Sequence, residues 1–378
     1  MIKQNMKPNV IFILLDGARW DRLNESKEFQ DVCKKGTILN NVSTAMPYTI
    51  GSINVTFSGL FGKENGIDAY HKMLRLKKSI KNLPEIFQSQ GYFTACDILT
   101  KNIIPNRGFN IHQTHNEFKD DLTKRHPNFV KQCLKESNGK PLFLFLYFSK
   151  LHTVTVSDVL KKYEWDEKEF YDNKDKNLSR YDDAFKEVGK YTKLITDELE
   201  KLNLKENTIL VFFSDHGTGI GERFGERNYG SFTYEETIRT FFLFIASGIQ
   251  KNRASNTLRA TVDIFPTILD LAEFELEFDR PGESFSKYLL KDEAELKESL
   301  YTFSETGAVH GPWPSPEESN VFCIKSSTHK LMYLKTPNEW LFFDLQNDPY
   351  ETSNIFTGNS EIEKKMKEKL IGWINRED

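Results

Sequence analysis

Apolar residues arrive along this chain in short unbroken runs, separated by longer stretches in which they recur every three or four positions. Residues 10–15, 142–148 and 208–213 are runs with almost no polar interruption. Such runs predict central strands of a parallel sheet, buried on both faces. Residues 92–99 and 240–246 predict two more. Between the strands the period lengthens. Phe185, Val188, Thr192, Ile195, Leu199 and Leu202 share one face of a helix predicted over 182–202. Shorter helices are predicted over 52–60 with Ser52 as N-cap, over 83–90 closed by Gly91, and over 257–273. Strands alternating with helices predict an α/β fold, a doubly wound, mostly parallel sheet occupying residues 1–280. Beyond Pro281 the pattern changes to strand-like pieces at 301–303, 321–325, 330–334 and 340–344, then a helix over 360–375. These predict a small antiparallel C-terminal subdomain, residues 281–378, packed on the first. Residues 102–141 yield no element, and 161–179 read as a charged surface insertion.

In open α/β sheets the chemistry collects beyond the carboxyl ends of the strands. Three predicted strand ends carry candidates: Asp16, then His152, then the adjacent pair Asp215-His216 followed by Gly217, Gly219 and Gly221. Two carboxylates and an imidazole suit one divalent cation with coordination positions left open. Manganese, magnesium, calcium and zinc all accept that donor set. Thr49 precedes a predicted helix, whose free N–H groups favour an anion. A hydroxyl beside a divalent cation is a competent nucleophile. A tetrahedral oxyanion ester, phosphate or sulfate, fits such a site. Ser52 either helps hold that loop or only caps the helix. His152 serves the site or is a satisfied core histidine.

Composition narrows the partners. The net charge is -4 with the signs mixed and no basic tract, which argues against nucleic acid. The four cysteines lie far apart in no zinc spacing, so reduced, mostly buried thiols are expected. The run at 10–15 is too short for a secretion signal, and no stretch is long enough to span a bilayer. A soluble, cytoplasmic protein is the expectation.

Pro8-Asn-Val-Ile-Phe-Ile-Leu-Leu-Asp16-Gly17, Thr49-Ile-Gly-Ser52 continuing to Asn65-Gly66, Gly91-Tyr-Phe-Thr-Ala95, Ser214-Asp-His-Gly217, Tyr234-Glu-Glu236 with Arg239, Asp263-Ile-Phe-Pro-Thr267 and Phe343-Asp-Leu-Gln-Asn-Asp-Pro-Tyr-Glu351 occur in that order. The series resembles the sulfatase-like branch of the alkaline phosphatase superfamily. The resemblance implies a metal held by Asp16, Asp215, His216 and Thr49, with Thr49 at the nucleophile position. Sulfatases place there a Cys or Ser that is oxidised to formylglycine, in the context Cys-x-Pro-Ser-Arg. Here Gly51 and Ile53 replace that Pro and Arg, and Thr cannot become formylglycine. Lys101 is the nearest candidate for a substrate-binding cation after Gly91-Tyr92, with Ser52 beside the substrate. Arg227 stands near where relatives carry Lys or His ahead of Tyr-Glu-Glu, and joins His152 as a catalytic candidate. His152, His310 and His329 are the loose candidates for a second ion. The resemblance implies a metal-dependent phosphate- or phosphonate-ester hydrolase with a Thr nucleophile. The alternatives are a sulfatase working without formylglycine, a phosphoryl-headgroup transferase, or an anion-binding member without turnover. A small-molecule, glycan or lipid-headgroup ester is the implied substrate.

Overall fold

The computed structural model describes residues 7–70, 75–275, 278–291, 294–307 and 310–376. Two β-sheets form the frame. The large one holds β1 (Asn9–Leu15), β2 (Thr37–Ser43), β3 (Phe93–Ile98), β4 (Ile111–Thr114), β5 (Leu142–Phe148), β6 (Thr208–Phe213), β7 (Arg239–Ile245), β8 (Arg253–Ser255) and β9 (Arg259–Ala260). Their order is β4-β3-β5-β1-β6-β7-β2-β8, with β9 also on β2. The run from β4 to β6 is parallel, and β7 is antiparallel to both its neighbours. The small sheet is an antiparallel meander of β10 (Thr302–Thr306), β11 (Val321–Lys325), β12 (His329–Leu334) and β13 (Glu339–Asp344).

β1 shows why an unbroken apolar run belongs at the centre. Val10, Phe12 and Leu14 pack on one side with the helices Thr49–Ser58, Leu83–Ser89 and Ile264–Leu271. Ile11, Ile13 and Leu15 pack on the other with Lys27–Cys33, Leu122–Glu136 and Lys174–Lys201. Successive residues of a strand face opposite sides, so both faces must be apolar. The small sheet is stitched to the end of β2. Thr302 donates to Ser43 Oγ at 3.0 Å, Ser304 to Thr44 O at 2.6 Å, and Glu305 N to Ala45 O at 2.8 Å. The C-terminal helix is Glu361–Ile374, capped by Ser360, whose Oγ accepts from Glu363 N at 3.3 Å. The cysteines are unpaired, three of them buried.

Four expectations change. The helix expected at 52–60 is Thr49–Ser58, and Ser52 is not its cap: its N–H already bonds Tyr48 O at 3.0 Å, inside the first turn. The stretch expected as one helix over 257–273 first pairs as β9 and then turns. Asp263 fixes that break by accepting from Ala260 N at 3.1 Å and Glu283 N at 2.8 Å, and by pairing with Arg259. The supposed insertion at 161–179 contains the start of the long helix, Lys174–Lys201. The unassigned stretch 102–141 holds β4 and the helix Leu122–Glu136.

Candidate active site

β1 and β6 run in parallel with Leu14 opposite Phe213, so both leave the sheet at one edge. Asp16 follows β1 directly and Ser214-Asp215-His216 follows β6. Gly17 turns the chain away at φ +69°, where a Cβ would sit 2.8 Å from Thr218 Oγ1. Its N–H donates to Asp215 Oδ1 at 3.2 Å, and His216 N donates to the same oxygen at 3.0 Å. Asp215 Oδ2 is left buried without a hydrogen-bond partner among the described residues. Asp16 repeats the arrangement: Oδ2 accepts the Tyr147 hydroxyl, and Oδ1 has no hydrogen-bond partner among the described residues. His216 Nδ1–H donates to Gly217 O at 2.7 Å, which leaves Nε2 as the lone-pair nitrogen. That Nε2 lies 3.6 Å from Asp16 Oδ1 and 3.4 Å from Asp215 Oδ2.

The ligand atoms of Asp16, Asp215 and His216 all lie within 4.8 Å of one another, in full burial. Burial pushes the Asp16 carboxyl up to about 8, and the facing Asp215 charge adds to the rise. Two bare carboxylate oxygens beside an imidazole lone pair are costly to bury alone. A divalent cation satisfies all three together, so this donor set fits such an ion.

Thr49 is the first residue of the helix Thr49–Ser58, and Tyr48 before it supplies no side-chain cap. The first-turn N–H groups are therefore available to an anion. Thr49 Oγ1 lies 3.3 Å from His216 Nε2, beside the cation cradle. Ser52 turns away: its Oγ donates to Asp215 O at 2.8 Å and accepts from Thr44 Oγ1 at 2.9 Å. It fixes the main chain at Asp215. His152 sits in the short helix Lys150–Thr155 after β5, with Nδ1 3.2 Å from Asp16 Oδ2 and Nε2 3.9 Å from Glu117 Oε2. Burial lowers its pKa, while Glu117 and Asp215 act the other way.

The Arg227 guanidinium donates to Tyr163 O and, at 3.5 Å, to Leu160 O, so it clamps that turn. Lys101 is exposed in the turn after β3. His329 stacks on Phe342 in the small sheet, with centroids 5.2 Å apart. His310 is exposed, with Arg227 and Glu164 as its charged neighbours.

Three residues reach the site that the sequence did not single out. Tyr147 holds Asp16. Glu117 faces His152. The Tyr229 ring covers His216 at a centroid distance of 4.1 Å and lies 6.4 Å from the His152 ring. A lone hydroxyl inside the otherwise apolar β5 run was the available signal for Tyr147. Glu117 and Tyr229 lie in loops and carry none.

A family model described as Sulfatase matches residues 8–274, and one described as N-sulphoglucosamine sulphohydrolase, C-terminal, matches residues 225–376. An N-acetylglucosamine-6-O-sulfatase of Bacteroides thetaiotaomicron is 32% identical over 181 residues, which is 46% of this chain and 30% of the relative. The chain thus spans under a third of that relative's length. Among solved structures, a 2-O GAG sulfatase superposes with a TM-score of 0.79 at 19% identity, over 98% of this chain and 92% of its own. The phosphonate monoester hydrolase of Agrobacterium radiobacter does so with a TM-score of 0.75 at 15% identity, over 97% and 95%. These likenesses share the two-sheet architecture.

Proposed function

This chain belongs to the sulfatase family, and on that premise we propose that it hydrolyses a sulfuric ester on a sugar, with the Thr49 hydroxyl itself as nucleophile. The observation that carries the reading is Thr49 Oγ1 at a helix N-terminus, 3.3 Å from His216 Nε2, with Asp16 Oδ1 and Asp215 Oδ2 bare beside it. The sugar comes from the relatives, named as an N-acetylglucosamine-6-O-sulfatase and a 2-O GAG sulfatase. Their names move the weight from phosphate esters, the first expectation from the sequence, to sulfuric esters.

Asp16, Asp215, His216 and Thr49 would hold the divalent ion. Bound there, it lowers the pKa of the Thr49 hydroxyl and offsets charge on the ester oxygens. The helix N-terminus binds those oxygens and orients the central atom. Thr49 Oγ, its proton passed to solvent, forms the new bond to that atom as the bond to the sugar oxygen breaks. His152, in its cationic form, hands a proton to the departing oxygen and is left as neutral imidazole. Water then attacks the sulfated threonine, and sulfate leaves with Thr49 restored. Tyr147 and Glu117 hold Asp16 and His152 in place, and Tyr229 closes the face of His216 against water.

One observation favours a second reading. Thr49 is an alcohol and not an aldehyde hydrate, so its ester with the oxyanion has no carbonyl-forming route of expulsion. Direct attack by water at the central atom then has to release the group, a demand that phosphate and phosphonate esters also meet. Aryl sulfate, phosphate monoester, phosphate diester and phosphonate ester, assayed side by side with manganese, magnesium, calcium or zinc, separate the two. Fastest turnover of the sulfate, abolished by chelator, is expected. Turnover of phosphorus esters alone would replace the first reading with the second.

A further inference from the structure

A second group of ligating side chains lies outside the site described. Asp97 in β3, His115 directly after β4, and His126 in the helix Leu122–Glu136 bring one ligand atom each within 4.8 Å of one another. All three are fully or almost fully buried. Neither His115 nor His126 is among the histidines that the sequence offers for a second ion, because both come from the stretch 102–141, which yields no element from its pattern.

Each imidazole has one nitrogen held and one turned to other use. His126 Nδ1 bonds the Tyr191 hydroxyl at 2.5 Å, which leaves Nε2 buried and without a hydrogen-bond partner among the described residues. His115 Nε2 lies 3.5 Å from Ser149 Oγ, while its Nδ1 is 3.1 Å from Asp97 Oδ1. Two donors on one tetrahedral ion at about 2.0–2.1 Å stand a little over 3 Å apart, so that separation matches shared ligation as well as it matches a hydrogen bond. Metal-binding histidines have their other nitrogen tied to an outer partner, and Tyr191 and Ser149 occupy those places here. Asp97 Oδ2 is held by Arg125 Nε at 2.6 Å and Gln113 Nε2 at 3.2 Å, which turns Oδ1 toward the two rings. Arg125 has a second carboxylate in reach, Asp120 at 3.6 Å, to balance its charge. A buried nitrogen without a partner is costly, and an ion bound by three neighbours removes that cost.

We propose that Asp97, His115 and His126 form a second, structural site for a zinc-class divalent ion, separate from the catalytic cradle. Two imidazoles and one carboxylate select zinc or cobalt over magnesium or calcium. The site ties β3, the end of β4 and the Leu122–Glu136 helix together. It also braces the end of β5, because Ser149 sits between Tyr147 and the His152 helix. This inference does not depend on which ester the enzyme cleaves.

The test is metal stoichiometry by mass spectrometry on the full chain, loaded with zinc and dialysed. Wild type is expected to hold two equivalents per chain. Asp16→Asn with His216→Gln, which strips the catalytic cradle, should still hold one. Adding His126→Gln should remove it. A wild type with one equivalent that the double variant loses would overturn the proposal, with the catalytic site left standing. Should His126→Gln fail to fold, cobalt titration of the native chain decides. Two spectroscopically distinct cobalt sites support the proposal, and a single site lost with Asp16→Asn overturns it.

Discussion

Asp16 and Asp215 each give one oxygen to protein donors and keep the other bare toward His216 Nε2. In the ion-free protein Asp16 holds its proton up to about 8, whereas the unfolded chain releases it near 3.8. Between those values the native state binds more protons, so stability falls as pH rises across the interval. Burial raises Glu226 to about 8 and Glu236 and Glu305 to about 7, so they share the slope. In chelator the thermal midpoint is expected to drop from pH 4 to pH 8, and Asp16→Asn to flatten the drop without abolishing it. An unchanged slope in that variant would contradict the assignment. The residues that end strands were legible from the chain's own pattern. Asp16, Asp215 and His216 each follow an apolar run, and a polar residue there has no place inside the sheet. Glu117 and Tyr229 were hidden, because what marks them is a neighbour far away in the chain, and Tyr147 showed only as the lone hydroxyl of an apolar run.

The loop after β6 depends on an element the sequence placed only roughly. Gly217 N donates to Thr237 O at 2.9 Å, and a Cβ on Gly217 would run into the main-chain carbonyl of Glu236. Neither atom has a flexible end to yield. Gly217→Ala is therefore expected to push His216 off its position and weaken manganese binding about tenfold or more in calorimetry, a loss of roughly 1–3 kcal/mol. Native affinity in that variant would show that the loop is not braced there. Elements with a clean period were legible: β1, β5 and β6, and the helical face from Phe185 to Leu202. β2 was not, because Asn40 and Asn41 interrupt it where its register slips between Leu39 and Val42. The Leu122–Glu136 helix was obscured by Pro127 inside it and by burying His126 where an apolar residue is the usual choice.

Across the whole molecule, the small sheet reaches the loop after β6 through buried charges. Lys330 pairs with Glu351 at 2.7 Å and Glu235 at 3.4 Å, and Lys325 pairs with Glu235 at 2.7 Å, all almost without exposure. Glu235 opens the turn Glu235–Ile238, whose Thr237 carbonyl holds Gly217. Lys330→Met leaves two carboxylates short of a partner in the interior. It is expected to cost about 3–5 kcal/mol in denaturant unfolding. A change under about 1 kcal/mol would mean that the network adds nothing net. The large parallel sheet and the antiparallel C-terminal unit were both readable, since period and run length set them. How the two units join was not, because buried ion pairs follow no period along the chain.

If Thr49 attacks the ester beside an ion held by Asp16, Asp215 and His216, turnover depends on its hydroxyl. The measurement that decides this is turnover of the preferred ester by wild type, Thr49→Ser and Thr49→Ala, with the ion saturating in each. Thr49→Ser should keep measurable activity, and Thr49→Ala should lose about a thousandfold or more. Activity in Thr49→Ala within a few-fold of wild type would contradict the account.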